Sequence, residues 1–227
     1  MLSVGLLAAC GGSSSNLVGA STPSQSSQSG DSGSSESEAP TSSLPLDHSA
    51  CDGAIDHLAP TAALSKDPIA LATANEIAPL PVSGLAPRTV QSSQPLRTPQ
   101  DYLAIASLAD PQGRLAILNR DGFRTGVQVE YASGDQSYGV IVLRFRDQPS
   151  ALDYLRAHIR DVCSISSGLE ALQGLAGVVY LRDDGLARAV FVIGDAEISL
   201  CNCVGIGGDQ KKSVAADWAH AIAQQLE

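Results

Sequence analysis

The stretch Phe123–Arg146, FRTGVQVEYASGDQSYGVIVLRFR, decides the fold. Val127, Val129 and Tyr131 alternate with Gln128 and Glu130, the period of two that a strand with one buried face requires. Gly134-Asp135 supplies turn residues. From Tyr138 the chain returns with Ile141, Leu143 and Phe145 on one face and Val140 and Val142 on the other. Apolar residues at both parities predict a strand covered on both sides, so the second arm of this hairpin is expected at the centre of a sheet.

Downstream, Leu152, Leu155, Ile159 and Val162 recur at spacings of three and four, which predicts an amphipathic helix starting near Pro149. Tyr154, His158 and Cys163 flank that stripe, and His158 reads as a boundary residue. Three more strands are expected over Gly177–Arg182, Leu186–Ile193 and Ala196–Val204, joined by turns at Asp183-Asp184-Gly185 and Gly194-Asp195. A last helix from about Gln210 carries Val214, Trp218, Ile222 and Leu226 on one side, with Trp218 as a core anchor. Upstream, Thr98-Pro99-Gln100-Asp101 predicts a capped helix to about Leu108, and Asp110-Pro111 opens another that ends at Asp121-Gly122. The predicted fold is α+β, an antiparallel sheet of about five strands in the order β-β-α-β-β-β-α, with the helices on one face.

The remaining chain has a different composition. From Gly11 to Ser43 it is mostly Ser, Gly, Thr, Gln, Pro and acidic residues, too poor in large apolar side chains to offset ordering entropy. Leu44 to Arg97 is more apolar but broken by prolines from Pro45 to Pro95, which stop long regular elements. It reads as a wrapping segment, with one short helix from Pro68 to about Ile77 behind the Asp67 cap. The expected organisation is 1–10 leader, 11–43 disordered tether, 44–97 wrapping segment and 98–227 α+β domain.

Leu7-Ala8-Ala9-Cys10 closes a short apolar run with two small residues and a cysteine, and it resembles the lipobox of bacterial lipoproteins. That resemblance implies cleavage before Cys10, acylation of its thiol and tethering to the extracytoplasmic face of the cell membrane, with the Ser-rich tract as spacer. Together with the order of elements over Thr98 to Glu227, it resembles the small secreted lipoproteins of actinobacteria, some with a Mog1/PsbP-like domain. The resemblance implies a location and a fold rather than an activity.

The 227 residues carry a formal charge of −10 and no basic patch with interleaved aromatics, so nucleic acid is not an expected partner. Beyond Cys10, an exported chain with Cys51, Cys163, Cys201 and Cys203 is expected to pair them. Cys201 and Cys203 lie two apart on one strand face, near the geometric limit for a bridge. The pattern therefore favours Cys163 joined to one strand cysteine and Cys51 to the other. Two alternatives use Cys201-Asn202-Cys203, as a redox dithiol or, with Cys163 and a histidine, as a zinc site. A thiol needs a helix N-terminus or a nearby cation to become reactive, so structural pairing is preferred.

Gly205-Ile206-Gly207-Gly208 before Lys211-Lys212-Ser213 lacks phosphate-loop spacing, and Ser164, Ser166 and Ser167 lack a nucleophile elbow. No catalytic residue, metal site or cofactor is assigned. The expected function is a non-catalytic domain that binds an envelope protein or a small ligand, the alternative being a thiol-disulfide oxidoreductase using Cys201 and Cys203. Val140, Val142, Val190 and Val192 are the candidate binding surface, read as sharing the sheet face opposite Ile141, Leu143, Ala189, Phe191 and Ile193. If no helix covers that face, a patch of this kind marks an interface, but the Pro-rich segment from Cys51 to Arg97 is long enough to cover it, and that covered arrangement, with any ligand site at its edge, is preferred.

Overall fold

In the computed structural model, the described residues are 49–56, 58–59, 61–77, 89–106, 108, 110–133, 136–163, 166–182, 185–202 and 210–227. The leader, the lipobox and the Ser-rich tract lie outside them. The described chain opens with helices α1 (Ser49–Asp56) and α2 (Pro68–Thr73) and strand β1 (Thr89–Leu96). Helices α3 (Pro99–Ile105) and α4 (Pro111–Arg120) follow, then strands β2 (Thr125–Ser133) and β3 (Gln136–Arg144) and helix α5 (Gln148–Cys163). Strands β4 (Ser166–Ala171), β5 (Ala176–Arg182), β6 (Ala187–Ile193) and β7 (Ala196–Asn202) and helix α6 (Gln210–Leu226) complete it.

Local chemistry sets the helix ends. Thr98 and Asp101 form the predicted capping box, the Thr98 hydroxyl accepting from the Asp101 amide and the Asp101 carboxylate from the Thr98 amide. Asp67 and Asp110 cap α2 and α4 through their carboxylates alone, accepting from the Ile69 and Gly113 amides, each before a proline whose missing N–H costs nothing there. Gly122, at φ 69°, turns the chain out of α4 in a left-handed conformation that disfavours a β-carbon.

All seven strands are antiparallel neighbours in the order β1-β2-β3-β7-β6-β5-β4. The expected count of about five omits two edge strands. β1 lies in the stretch assigned to wrapping, and β4 in the Ser-rich stretch after α5, so the sheet starts at Thr89 rather than after Thr98. The two halves meet where β3 pairs with β7, with Ile141 opposite Ser199. The Phe123–Arg146 hairpin does place its second arm inside the sheet.

The helices cover both faces, not one. On the first, Val127, Val142, Ile198 and Phe191 form a cross-strand row beneath α6, in a core that includes Trp218 and Ile222. On the second, Leu143, Val190 and Val192 pack with Tyr154, Leu155 and Ile159 of α5. Phe191 and Trp218 are no more than 1% exposed, and truncating an aromatic buried to this degree costs about 3–5 kcal/mol.

The segment ahead of β1 packs on the sheet by specific bonds. The Tyr131 hydroxyl donates to the Ala72 carbonyl at 3.0 Å. The Gly194 amide donates to the Thr61 hydroxyl at 2.9 Å and the Ala62 carbonyl at 2.8 Å. Ser65 donates from its amide to the Leu226 carbonyl at 2.7 Å, joining the segment to the end of α6. The disulfide also departs from expectation: Cys163 is bonded to Cys51, with Cα atoms 6.1 Å apart, and joins α1 to the end of α5. Helix α1 was not legible in the sequence, so its proximity to Cys163 could not enter the choice of partners.

Candidate functional site

The two faces of the sheet differ in chemistry. Beneath α6 the buried strand residues are apolar throughout. Facing α5, the central strands carry Gln128, Ser199, Glu197 and Arg188 among apolar neighbours, and the register aligns Gln128 with Ile141 and Ile141 with Ser199. Glu197 is 1% exposed and Gln128 is 7% exposed. Polar groups buried at this depth need partners.

Some of these partners come from within the face. Glu197 Oε1 lies 3.1 Å from Nδ1 of His158 on α5 and accepts from the Ser199 hydroxyl at 3.4 Å. Gln128 donates to Glu130 at 3.2 Å. His158 is therefore not a boundary residue but a buried one, fixed to the sheet by a carboxylate.

Arg114 brings a cation to the same layer. It sits on α4 and is 3% exposed. Its guanidinium lies over the Tyr154 ring, 5.1 Å from the centroid, and Nη2 is ion-paired with Asp161 at the outer end of α5. Nε and Nη1 have no hydrogen-bond acceptor among the described residues. Burial opposes the guanidinium's charge, but Tyr154, Tyr102, Asp161 and Glu197 around it raise its proton affinity above the ordinary arginine value. Burial likewise raises the hydroxyls of Tyr102 and Tyr154, and pushes Tyr180 up to about 12.

These groups border a cavity of about 260 Å³ between the sheet and helices α3, α4 and α5. Its sheet side includes Gln128, Ser199, Arg188 and Tyr180, and Gly139 brings no side chain to fill the space. Arg114, His158 and Asp161 form the helix side, and Ile105, Leu108 and Ile117 make an apolar roof. The volume is just below the range of about 300–1,000 Å³ usual for small-molecule sites, and the mixture of apolar wall and few polar groups is typical of them.

The valines expected as a binding surface are not one. Val140 and Val142 lie beneath α6 with Ala189, Phe191 and Ile193, whereas Val190 and Val192 face α5. All four are at most 1% exposed. The antiparallel register puts Val142 opposite Ile198 and Ile198 opposite Phe191, so Val142 shares a face with Phe191 and not with its neighbours Val190 and Val192.

Cys201 is buried in β7 on the cavity wall, while Cys203, Cys10 and the Gly205–Gly208 run lie outside the described residues. Lys211 donates to the Gly185 carbonyl at 2.7 Å, and Lys212 to the Gly168 carbonyl at 3.2 Å and to Glu170, so both lysines bind the β4–β6 edge of the fold. Among the described residues no group of three or more His, Cys, Asp or Glu is placed to hold a metal ion. Trp218 lies in the α6 core as expected.

Apart from His158 and Cys201, the cavity residues are not legible as a group in the sequence because they are spread over eight elements and form no local motif. Their signal is weaker and positional: Arg188 puts a charge inside ARAVFVI, a strand otherwise apolar at both parities, and Glu197 and Ser199 make one parity of AEISLCN polar. A charge at such a position must find a partner across the layer.

No known protein family matches the sequence, and no curated protein matches it. Among solved structures, the extracellular domain of PknH from Mycobacterium tuberculosis is similar to this chain, with a TM-score of 0.41 and 9% sequence identity, over 62% of this chain and 85% of that one.

Proposed function

We propose that this protein is a cell-envelope lipoprotein of the actinobacterial type, held at the membrane through a lipid on Cys10, whose folded domain is a non-catalytic module that binds a small ligand between the sheet and α3–α5. The cavity carries this reading. A sheet face built only for packing would be apolar, as the α6 face is; this one sets Gln128, Ser199 and Arg188 around open space, opposite Arg114 of α4. One further feature supports an extracytoplasmic site: the Cys51–Cys163 bond belongs to an oxidising compartment. No helix among the described residues is long and apolar enough to cross a membrane.

The thiol oxidoreductase alternative retains one observation, that Cys201 borders the same cavity. At 6% exposure inside a strand, Cys201 is poorly placed for exchange with a protein substrate. Titration of the full-length chain with 1-aminoanthracene, a neutral apolar fluorophore, tests the proposal. Saturable fluorescence enhancement with one site per chain is expected, and non-saturating enhancement would refute it.

A further inference from the structure

Resting on that ligand-binding reading, we infer that the cavity takes a small amphiphile with an anionic head group, its head against Arg114 and Arg188 and its apolar body beneath Ile105, Leu108 and Ile117. The first observation is charge. In a chain of net charge −10 with 14 Lys and Arg in all, three arginines, Arg114, Arg182 and Arg188, converge on this one cavity. The acids on its wall are Asp110 and Asp161. Both are exposed and committed, Asp110 to the Gly113 amide that it caps at 2.9 Å and Asp161 to Nη2 of Arg114. Glu197 stands behind the wall, its Oε1 held by His158 and Ser199 and its Oε2 buried without a hydrogen-bond partner among the described residues, and does not line the space.

The second observation is an unmet demand for acceptors. Arg114 is more than nine-tenths buried, yet Nε and Nη1 have no acceptor among the described residues. Unpaired donors on a buried cation are costly, and an oxyanion on this wall is the group that arginine's planar fork is shaped to meet. The third observation is the roof. An inorganic anion would satisfy the guanidinium but leave the apolar side chains of α3 and α4 facing empty space, so the occupant needs an apolar body as well.

The test is competition against 1-aminoanthracene on the full-length chain, with decanoate, decanol, decyltrimethylammonium and inorganic phosphate, each amphiphile below its micellar concentration. Decanoate should displace the reporter at about one-tenth the concentration of decanol or less, since a charge-assisted pair is worth at least that factor. Decyltrimethylammonium should do no better than decanol, and phosphate should not displace the reporter. Arg114→Met should bring decanoate to the potency of decanol while the reporter still binds. Equal potency of decanoate and decanol on the native chain would overturn the inference, and so would displacement by phosphate at the decanoate concentration, which would make this an inorganic-anion site. Should Arg114→Met fail to fold, the selectivity of the native chain decides alone. Absence of reporter binding altogether would instead defeat the ligand-binding reading on which the inference rests.

Discussion

His158 on α5 and Glu197 on β7 meet at 3.1 Å, Nδ1 to Oε1, at positions 9% and 1% exposed. This contact joins the helix layer to the polar face of the sheet beside the cavity. In His158→Ala, Glu197 would keep Ser199 as its one hydrogen-bond partner among the described residues. A buried carboxylate stripped of its main partner costs about 3 kcal/mol. Urea unfolding should show that loss for His158→Ala and a smaller one for Glu197→Gln, which keeps the volume without the charge. Unchanged unfolding of His158→Ala would contradict this role.

The Cys51–Cys163 bond spans 112 residues of sequence. Closing a loop of that size in the unfolded chain contributes up to roughly 5 kcal/mol in the chain-entropy account. Cys51→Ala or Cys163→Ala should therefore lower the melting temperature by on the order of 10 °C. A matching drop on mild reduction of the native protein would assign the effect to the bond itself, and equal melting of reduced and oxidised protein would contradict it.

What the sequence disclosed follows from where side chains are buried. Val127, Val129 and Tyr131, the stripe of α5 and the stripe of α6 were legible because one element buries one periodic face. β1 was not: in TVQSSQPL seven of eight residues are exposed, so an edge strand that buries only Leu96 leaves no apolar period. β4, SSGLEA, has the same weakness, with a register shift between Ser167 and Glu170. Facing was misassigned for Val190 and Val192 because β6 is apolar at both parities, and only the register with β7 shows which residues share a side. The cavity depends on Arg114, whose helix shows Leu115, Ile117 and Leu118 as its apolar residues and gives no local sign that the arginine also turns inward.

Three buried tyrosines give a pH dependence with a definite sign. Burial raises Tyr102 and Tyr154 above the usual 10 and pushes Tyr180 up to about 12. The folded state thus favours the neutral phenol. The associated stability is complete below the unfolded value near pH 10 and is lost as pH climbs through the folded values. Near pH 11 the folded protein should show less 295 nm phenolate absorbance than the urea-unfolded protein, in which nearly all five tyrosines are ionised. Full phenolate absorbance from folded protein at that pH would show these rings to be solvated.

Attachment to the membrane is separable from folding. Cys10→Ala should move the protein from the membrane to the soluble fraction with an unaltered melting temperature, because Cys10 precedes every described residue of the fold. Retention of the variant in the membrane fraction would refute acylation at Cys10 as the anchor.

The central claim is that the space between the sheet and α3–α5 is a binding site. Ile117 lies on the roof of that space, and Ile117→Trp adds an indole where the ligand body would sit. Titration of this variant with 1-aminoanthracene is the most direct measurement. The account predicts loss of the saturable site with a melting temperature close to that of the native chain, whereas a variant that still binds one equivalent with native affinity would contradict it.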